Sequence, residues 1–441
     1  MRRALDRRIA SLAVPALGSL AAEPLYVLAD TVIVGHLGTV PLAGLAVASS
    51  ALTSLAWLVA WLNSITATRV AQARGAGTEA RIGVGLRDAL VLALLIAAVT
   101  GLAVAVLAPS IARLYGPAPE VRRGAVTYLR ASAVGIPALV VGFVGVGWLN
   151  GMGRTRRTLL VVLVANVVNI ALEVVFVYGF HWGLAGSAWG TVIAQWTQVS
   201  FLLVLLARAG LLSGWRSVSL AGLRRTVVDG LRFAVRTLAI VGTFAVAVAV
   251  ASRLGTRQLA AHQIGDKLFG LLALSLDALA VAAQVMVGEA AAGAGDVGAI
   301  RRITNHLVGR SVIVGVALGG TIAGLSWLLP RPFTDAADVR STATGVVAIL
   351  GLLLVPGAIA FLYDGVCLGL SAFGFLQAQA LGATMAVVPF VAAVALDHSL
   401  GLPVLWFGLT VWMVARAAIQ HVWFRRGGWV RLVPEPNGFS A

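Results

Sequence analysis

Lysine and cysteine are nearly missing from this chain: Lys267 and Cys367 are the only residues of their kinds among 441. One cysteine cannot form an intramolecular disulfide. Gly75-Ala76-Gly77 and Gly293-Ala294-Gly295 lack the lysine and hydroxyl residue of a phosphate-binding loop, so they read as helix ends and turns, and nothing in the sequence resembles ATP-binding machinery. Charge is scarce as well, at 11% of residues, against 59% apolar residues and a mean hydropathy of +0.95. That leaves too little polar surface to cover a soluble globule of this length, so the expected solvent is lipid. No catalytic constellation, cofactor motif or metal-ligand spacing stands out, and the chain is read as a non-enzyme with no cofactor and no structural metal.

What is present is long apolar sequence. Alternation of apolar and polar residues, which a barrel requires, is absent, so the segments read as helices. Twelve spans are expected near 9–34, 41–68, 89–112, 125–149, 158–179, 184–207, 233–252, 258–291, 306–329, 342–370, 375–396 and 402–424. The first carries Pro15, Glu23 and Asp30, which a cleaved leader would not, and is read as a retained span. The net charge of +16 sits mostly in alternate loops: 24 basic residues fall on the side of the N-terminus and eight on the other. That bias places both termini in the cytoplasm and makes the bases topology signals and lipid anchors rather than a nucleic-acid surface.

The chain is also a repeat. Leu37-Gly38-Thr39-Val40-Pro41-Leu42-Ala43 returns as Leu254-Gly255-Thr256-Arg257-Gln258-Leu259-Ala260 at an offset of 217, and Gly183-Leu184 returns as Gly401-Leu402 at 218. Pro137 matches Pro356 at 219. The expected architecture is therefore an all-α membrane protein of twelve transmembrane helices in two pseudo-symmetric six-helix lobes, 1–208 and 233–441, joined by a polar cytoplasmic linker at 209–232.

An acid inside a bilayer costs about 2.5 to 3.5 kcal/mol and is by default a functional candidate. In the first span Glu23, Tyr26 and Asp30 fall on roughly one helical face, with Pro15 and Pro24 able to bend the helix. In the fifth, Asn169 stands one turn before Glu173, a pattern suited to a proton or a small cation. These acids are not duplicated: the repeat carries Asp30 onto Ala247 and Glu173 onto Val391, while Asp277 maps to Ala60 and Asp364 to Gly145. Ion coupling is expected to be asymmetric. Asp266, Lys267 and Asp277 share the eighth span, where Lys267, the only base expected within the membrane, is placed to pair with an acid of a neighbouring helix. Asp364 reads as isolated in the tenth span, and His262 and His306 read as solvated near span ends. Trp57, Trp61, Phe143 and Trp148 are candidates for an aromatic lining, with lipid-facing or packing roles as the alternative.

At these residues the chain resembles the multidrug and toxic compound extrusion (MATE) transporters, and among them the DinF branch. The segments that carry the likeness are Pro15 to Asp30, Asn169-Ile-Ala-Leu-Glu173, Gly183 to Thr191, Leu259-Ala-Ala-His-Gln263, Leu276-Asp277 to Gln284, and Asp364-Gly365 with Gly369. The resemblance implies ion-driven export of lipophilic, often cationic compounds from the cell by alternating access. It implies that Asp30 binds the coupling proton or sodium ion, with Tyr26, Asn169, Glu173 and Thr191 as partners and Pro15 as the bending point. A sodium ion would sit at Asp30, Asn169, Glu173 and Thr191. Secondary polar positions are Glu23, Gln263, Asp266, Lys267, Asp277, Gln284 and Asp364. The family usually has aspartate where this chain has Glu173, which keeps the charge and alters the geometry. The expected protein is a monomer in the inner (plasma) membrane. Its partners are small lipophilic or cationic substrates, the coupling ion and membrane lipid. A flippase for lipid-linked precursors is the first alternative, ahead of a membrane sensor and a generic twelve-span facilitator.

Overall fold

The computed structural model describes residues 2–115, 118–212, 220–293 and 296–433. The centre of the expected linker, 213–219, and Ala294-Gly295 of the second glycine-rich turn lie outside the described residues.

Among those residues the secondary structure is helical. The helices are α1 (Arg2–Gly35), α2 (Thr39–Val59), α3 (Trp61–Gly75), α4 (Glu79–Leu114), α5 (Pro119–Ala133), α6 (Ile136–Gly151), α7 (Thr155–Val174), α8 (Leu184–Arg208), α9 (Leu220–Arg253), α10 (Thr256–Ala292), α11 (Val297–Gly324), α12 (Ala337–Gly369), α13 (Phe373–Leu396) and α14 (Gly401–Arg425). Eleven stretches are long and apolar enough to span a bilayer, and the pair α5 and α6, bent by 52°, makes a twelfth.

One expected span is broken where the sequence suggested continuity. The second keeps its course through a single turn residue, Ala60, between α2 and α3, so that Thr39–Gly75 runs as one span. The fourth divides at Val134-Gly135, just before Pro137 in the first turn of α6. Proline has no N–H to donate, and its ring crowds the carbonyl four residues back, so α5 cannot run on. A Cβ on Gly135 would collide with the Gln195 Oε1 atom, so the missing side chain lets α8 pack closely against the break. The matching proline, Pro356, stays inside an unbroken α12, where the residue equivalent to Gly135 is Leu354.

The chain divides into two compact units: 14–230, and 231–441 together with 1–13. The first helix therefore changes unit between Ala13 and Val14. Asp6 accepts from Arg310 at Nε (2.8 Å) and Nη2 (2.6 Å), and its Oδ1 lies 2.7 Å from the Nε2 atom of His306. The first turns of α1 are thus fastened to α11, and His306 is hydrogen-bonded to Asp6 rather than simply solvated.

Both units use the same close packing. In the first, a Cβ on Gly147 or Gly151 of α6 would stand 2.5 Å from the carbonyl oxygens of Asn63 and Ala67 on α3. In the second, Gly365 and Gly369 of α12 lie against the carbonyls of Ala280 and Gln284 on α10. Each glycine is offset by 218 and each facing residue by 217, so the duplicated sequence repeats a glycine-to-backbone helix contact of the kind that holds membrane helices together.

Candidate functional site

In the unit 14–230, α1, α7 and α8 bring together the expected acids. Asp30 (5% exposed), Asn169 (2%) and Glu173 (0%) are all buried. Ser187 Oγ donates to Asp30 Oδ1 at 2.5 Å and lies 3.4 Å from Glu173 Oε1. One hydroxyl therefore bridges the two carboxyl groups. Thr191, one turn further along α8, lies 3.4 Å from the same Glu173 oxygen. Asn169 Nδ2 donates to Thr191 Oγ1 at 3.2 Å, and the Tyr26 hydroxyl is 3.1 Å from it. The buried Tyr128 of α5 lies within electrostatic range of Tyr26, Asp30 and Glu173.

Local sequence explains the approach. On α8, Gly186 and Gly190 are one turn apart, the first against the Phe176 backbone and the second against α7; a Cβ on Gly190 would stand 2.9 Å from Glu173 Cγ and 3.1 Å from its backbone nitrogen. Just after Glu173 the chain winds into a π-turn at Val175–Gly179, closed by the Phe180 amide donating to the Val175 carbonyl at 2.9 Å. Asn166 Nδ2 donates to the Ala22 carbonyl at 2.9 Å and Tyr178 Oη to the Ile33 carbonyl at 2.7 Å. These two contacts hold α1 on either side of Asp30.

Electrostatically the cluster is rich in acceptors. Two carboxyl groups share one hydroxyl bridge, no base joins them among the described residues, and Glu173 Oε2 and Asn169 Oδ1 are buried with no hydrogen-bond partner. Such a set can take up a proton, or hold a small cation in an oxygen cage. Ser187 and Tyr128 are members that sequence reasoning missed; the spacing of four between Ser187 and Thr191 was the available signal. Glu23 does not join the site: it is exposed, although it shares a helix with Asp30.

The unit containing 231–441 has a different polar centre. Asp364 Oδ2 accepts from Arg416 Nη2 at 2.7 Å and from Arg236 Nη2, while its Oδ1 accepts from Gln420 Nε2 at 2.6 Å. Asp364 is thus clamped rather than isolated. Arg236 and Arg416, which the loop-charge reading assigned to the cytoplasmic ends of spans, lie inside; Arg416 is 2% exposed and stacks near Phe361 and Trp412. Asp277 is half-buried within electrostatic range of this triad. Lys267, expected to be the intramembrane base, is exposed, and no acid pairs with it among the described residues. Gln263 and Asp266 are half-buried and Gln284 is buried.

His262 is fully buried and accepts from Trp406 Nε1 at 3.1 Å, contrary to the solvated reading. Gly265 has no side chain to keep the Trp406 ring away, and this lets the two rings meet. Of the aromatic candidates, Trp57 is exposed, whereas Trp148 and Trp61 are packed, the latter against Gly230.

Apolar helical spans, up to twelve in number, in a duplicated chain with a buried carboxyl pair in its first unit fit a multi-pass membrane transporter. The MatE family profile matches residues 15–175 and again 233–395, once per half, and the chain belongs to that family. It is 27% identical to the DNA damage-inducible protein F of Escherichia coli (strain K12), over 96% of this chain and 94% of that one. It is 32% identical to the probable multidrug resistance protein NorM of Xanthomonas axonopodis pv. citri, over 77% and 76% respectively. Among solved structures, a MATE protein crystallised in a bent conformation superposes with a TM-score of 0.87 at 20% identity, covering 97% of this chain and 96% of that one.

Proposed function

We propose that this MATE transporter is an ion-coupled antiporter that exports lipophilic, often cationic compounds, with Asp30 and Glu173 as the coupling pair. The observation that carries the reading is the Ser187 bridge between two buried carboxyl groups that have no neighbouring base. Two carboxylates held so close repel each other, and a proton taken up from outside relieves that repulsion. Loss of the charge on Asp30 loosens its hold on Ser187 and frees α1 to bend at Pro15, releasing substrate outward. Return of the proton to the cytoplasm restores the anionic pair for the next substrate, so ion and substrate occupancy oppose each other, as antiport requires. A sodium ion held by Asp30, Asn169, Glu173 and Thr191 serves the same cycle as an alternative cargo. The substrate class rests on relatives named for multidrug resistance. The basic loops favour cytoplasmic termini, and the bacterial relatives favour the plasma membrane, with the monomer as the transporting unit.

The test is efflux of a fluorescent cation from proteoliposomes under an imposed proton gradient without sodium. Gradient-driven efflux that is lost in Asp30→Asn supports the reading. Efflux only with a sodium gradient replaces the proton by sodium, and no efflux with either ion shifts the reading to the lipid-precursor flippase.

A further inference from the structure

Beside α13, along the end of α14, the second unit has an open surface groove of about 500 Å³ whose construction is amphiphilic. One wall is the exposed, apolar face of α14 formed by Ala418, Ile419 and Val422. The opposite boundary is an aromatic pair: Phe375 of α13 stacks on Trp423 with ring centroids 4.0 Å apart and planes 10° from parallel. Polar groups occur only at the end of the groove, where Arg426 and Gly428 line it beyond the last turn of α14.

Two donors at that end have no partner among the described residues. Arg426 is exposed, and no acid pairs with it among the described residues. The Trp423 indole N–H has no acceptor among them either. Gly428 keeps that N–H uncovered, since a Cβ there would stand 2.5 Å from Nε1. A cation and an N–H donor at the end of an apolar groove fit a molecule with anionic oxygens at one end and hydrocarbon at the other. Basic residues gather at this end of α14, which the loop-charge bias assigns to the cytoplasmic leaflet, where anionic lipids provide such headgroups. A zwitterionic lipid fits less well, because its own cation would be brought up to Arg426.

We propose that this groove binds an anionic phospholipid. The phosphodiester accepts from the Arg426 guanidinium and the Trp423 indole N–H, and the acyl chains lie along Ala418, Ile419 and Val422. The site is independent of the coupling chemistry at Asp30.

Delipidated full-length protein in neutral detergent, titrated with phosphatidylglycerol or phosphatidylcholine and read by native mass spectrometry, tests this. Wild type is expected to bind phosphatidylglycerol at least tenfold more tightly. Arg426→Gln should erase the preference, and Trp423→Phe, which keeps the stacked ring, should weaken it several-fold. Ala418→Trp, at an exposed position, should block both lipids, while Arg425→Gln and Asp30→Asn should leave binding unchanged. Equal affinity for the two lipids in the wild type overturns the proposal. So does an Arg425→Gln loss as large as that of Arg426→Gln, which would indicate diffuse surface charge. Inorganic phosphate binding as tightly as the lipid would assign the donors to a free anion instead and also overturns it.

Discussion

Ser187 shows how much of the site depends on single atoms. Its hydroxyl donates to Asp30 at 2.5 Å and reaches Glu173 at 3.4 Å, and a hydrogen bond to a charged group contributes about 1.5–3 kcal/mol. Ser187→Ala is therefore expected to lower gradient-driven efflux roughly tenfold or more in the proteoliposome assay, with the protein still folded. Gly190→Ala acts differently: the new methyl meets the Glu173 backbone nitrogen at 3.1 Å, which cannot swing aside. Overpacking of that kind costs about 1–3 kcal/mol and should appear as a lower unfolding temperature in detergent. Asp364→Asn should be more damaging, about 3–5 kcal/mol by the same measurement, because it leaves Arg236 and Arg416 buried without their counter-charge. Asp30, Asn169 and Glu173 were legible because charged and amide groups are rare in apolar helices, whereas Thr191 came only from the family resemblance. Ser187 and Tyr128 were not legible, since hydroxyls are common there and only the approach of α8 to α7 singles them out. Arg236 and Arg416 were misplaced because a base near the end of an apolar run looks the same whether its side chain turns outward or inward.

At the scale of elements, the repeat was readable down to backbone conformation. Gly38 precedes α2 at φ 114° and ψ 176°, and Gly255 precedes α10 at φ 106° and ψ 167°. That region is essentially restricted to glycine, so Gly38→Ala and Gly255→Ala should each cost about 1–3 kcal/mol in thermal unfolding, and by similar amounts. Helix breaks were less legible. Pro137 and Pro356 are equivalent in sequence, yet only the first, preceded by Gly135, divides a helix. At the start of the short turn His398–Leu400, Asp397 accepts from the Ser399 hydroxyl and amide, which hold its carboxyl below the usual 3.8. A depressed carboxyl stabilises the fold above pH 3.8 and loses that contribution as the pH falls through its own lower value. Asp397→Asn should accordingly lower stability slightly at neutral pH and leave it unchanged in strong acid, as a pH series of unfolding temperatures would show.

For the whole molecule, the division into 14–230 and 231–441 with 1–13 gives each unit its own polar centre, built on a carboxyl pair in the first and arginine-bearing in the second. Cys367, fully buried in α12, reports on the second unit alone. The bond from Asp6 to Arg310 is partly solvated, with 34% and 43% of the two side chains exposed, so its contribution is small. Asp6→Asn should speed maleimide labelling of Cys367 by up to about fivefold under mildly destabilising conditions, whereas Ser187→Ala in the other unit should not. Composition by itself determined the lipid solvent, since no arrangement of so few polar residues can coat this chain in water. Apolar run lengths and the offset near 217 likewise determined helical spans and a duplicated plan, because both are local or periodic properties of the chain. Which polar residues meet was decided only by the tertiary structure. Helical spacing specifies the face of one helix but not its neighbour, and partners such as Ser187 with Asp30, or Arg416 with Asp364, are brought within reach by helix packing across long sequence separations.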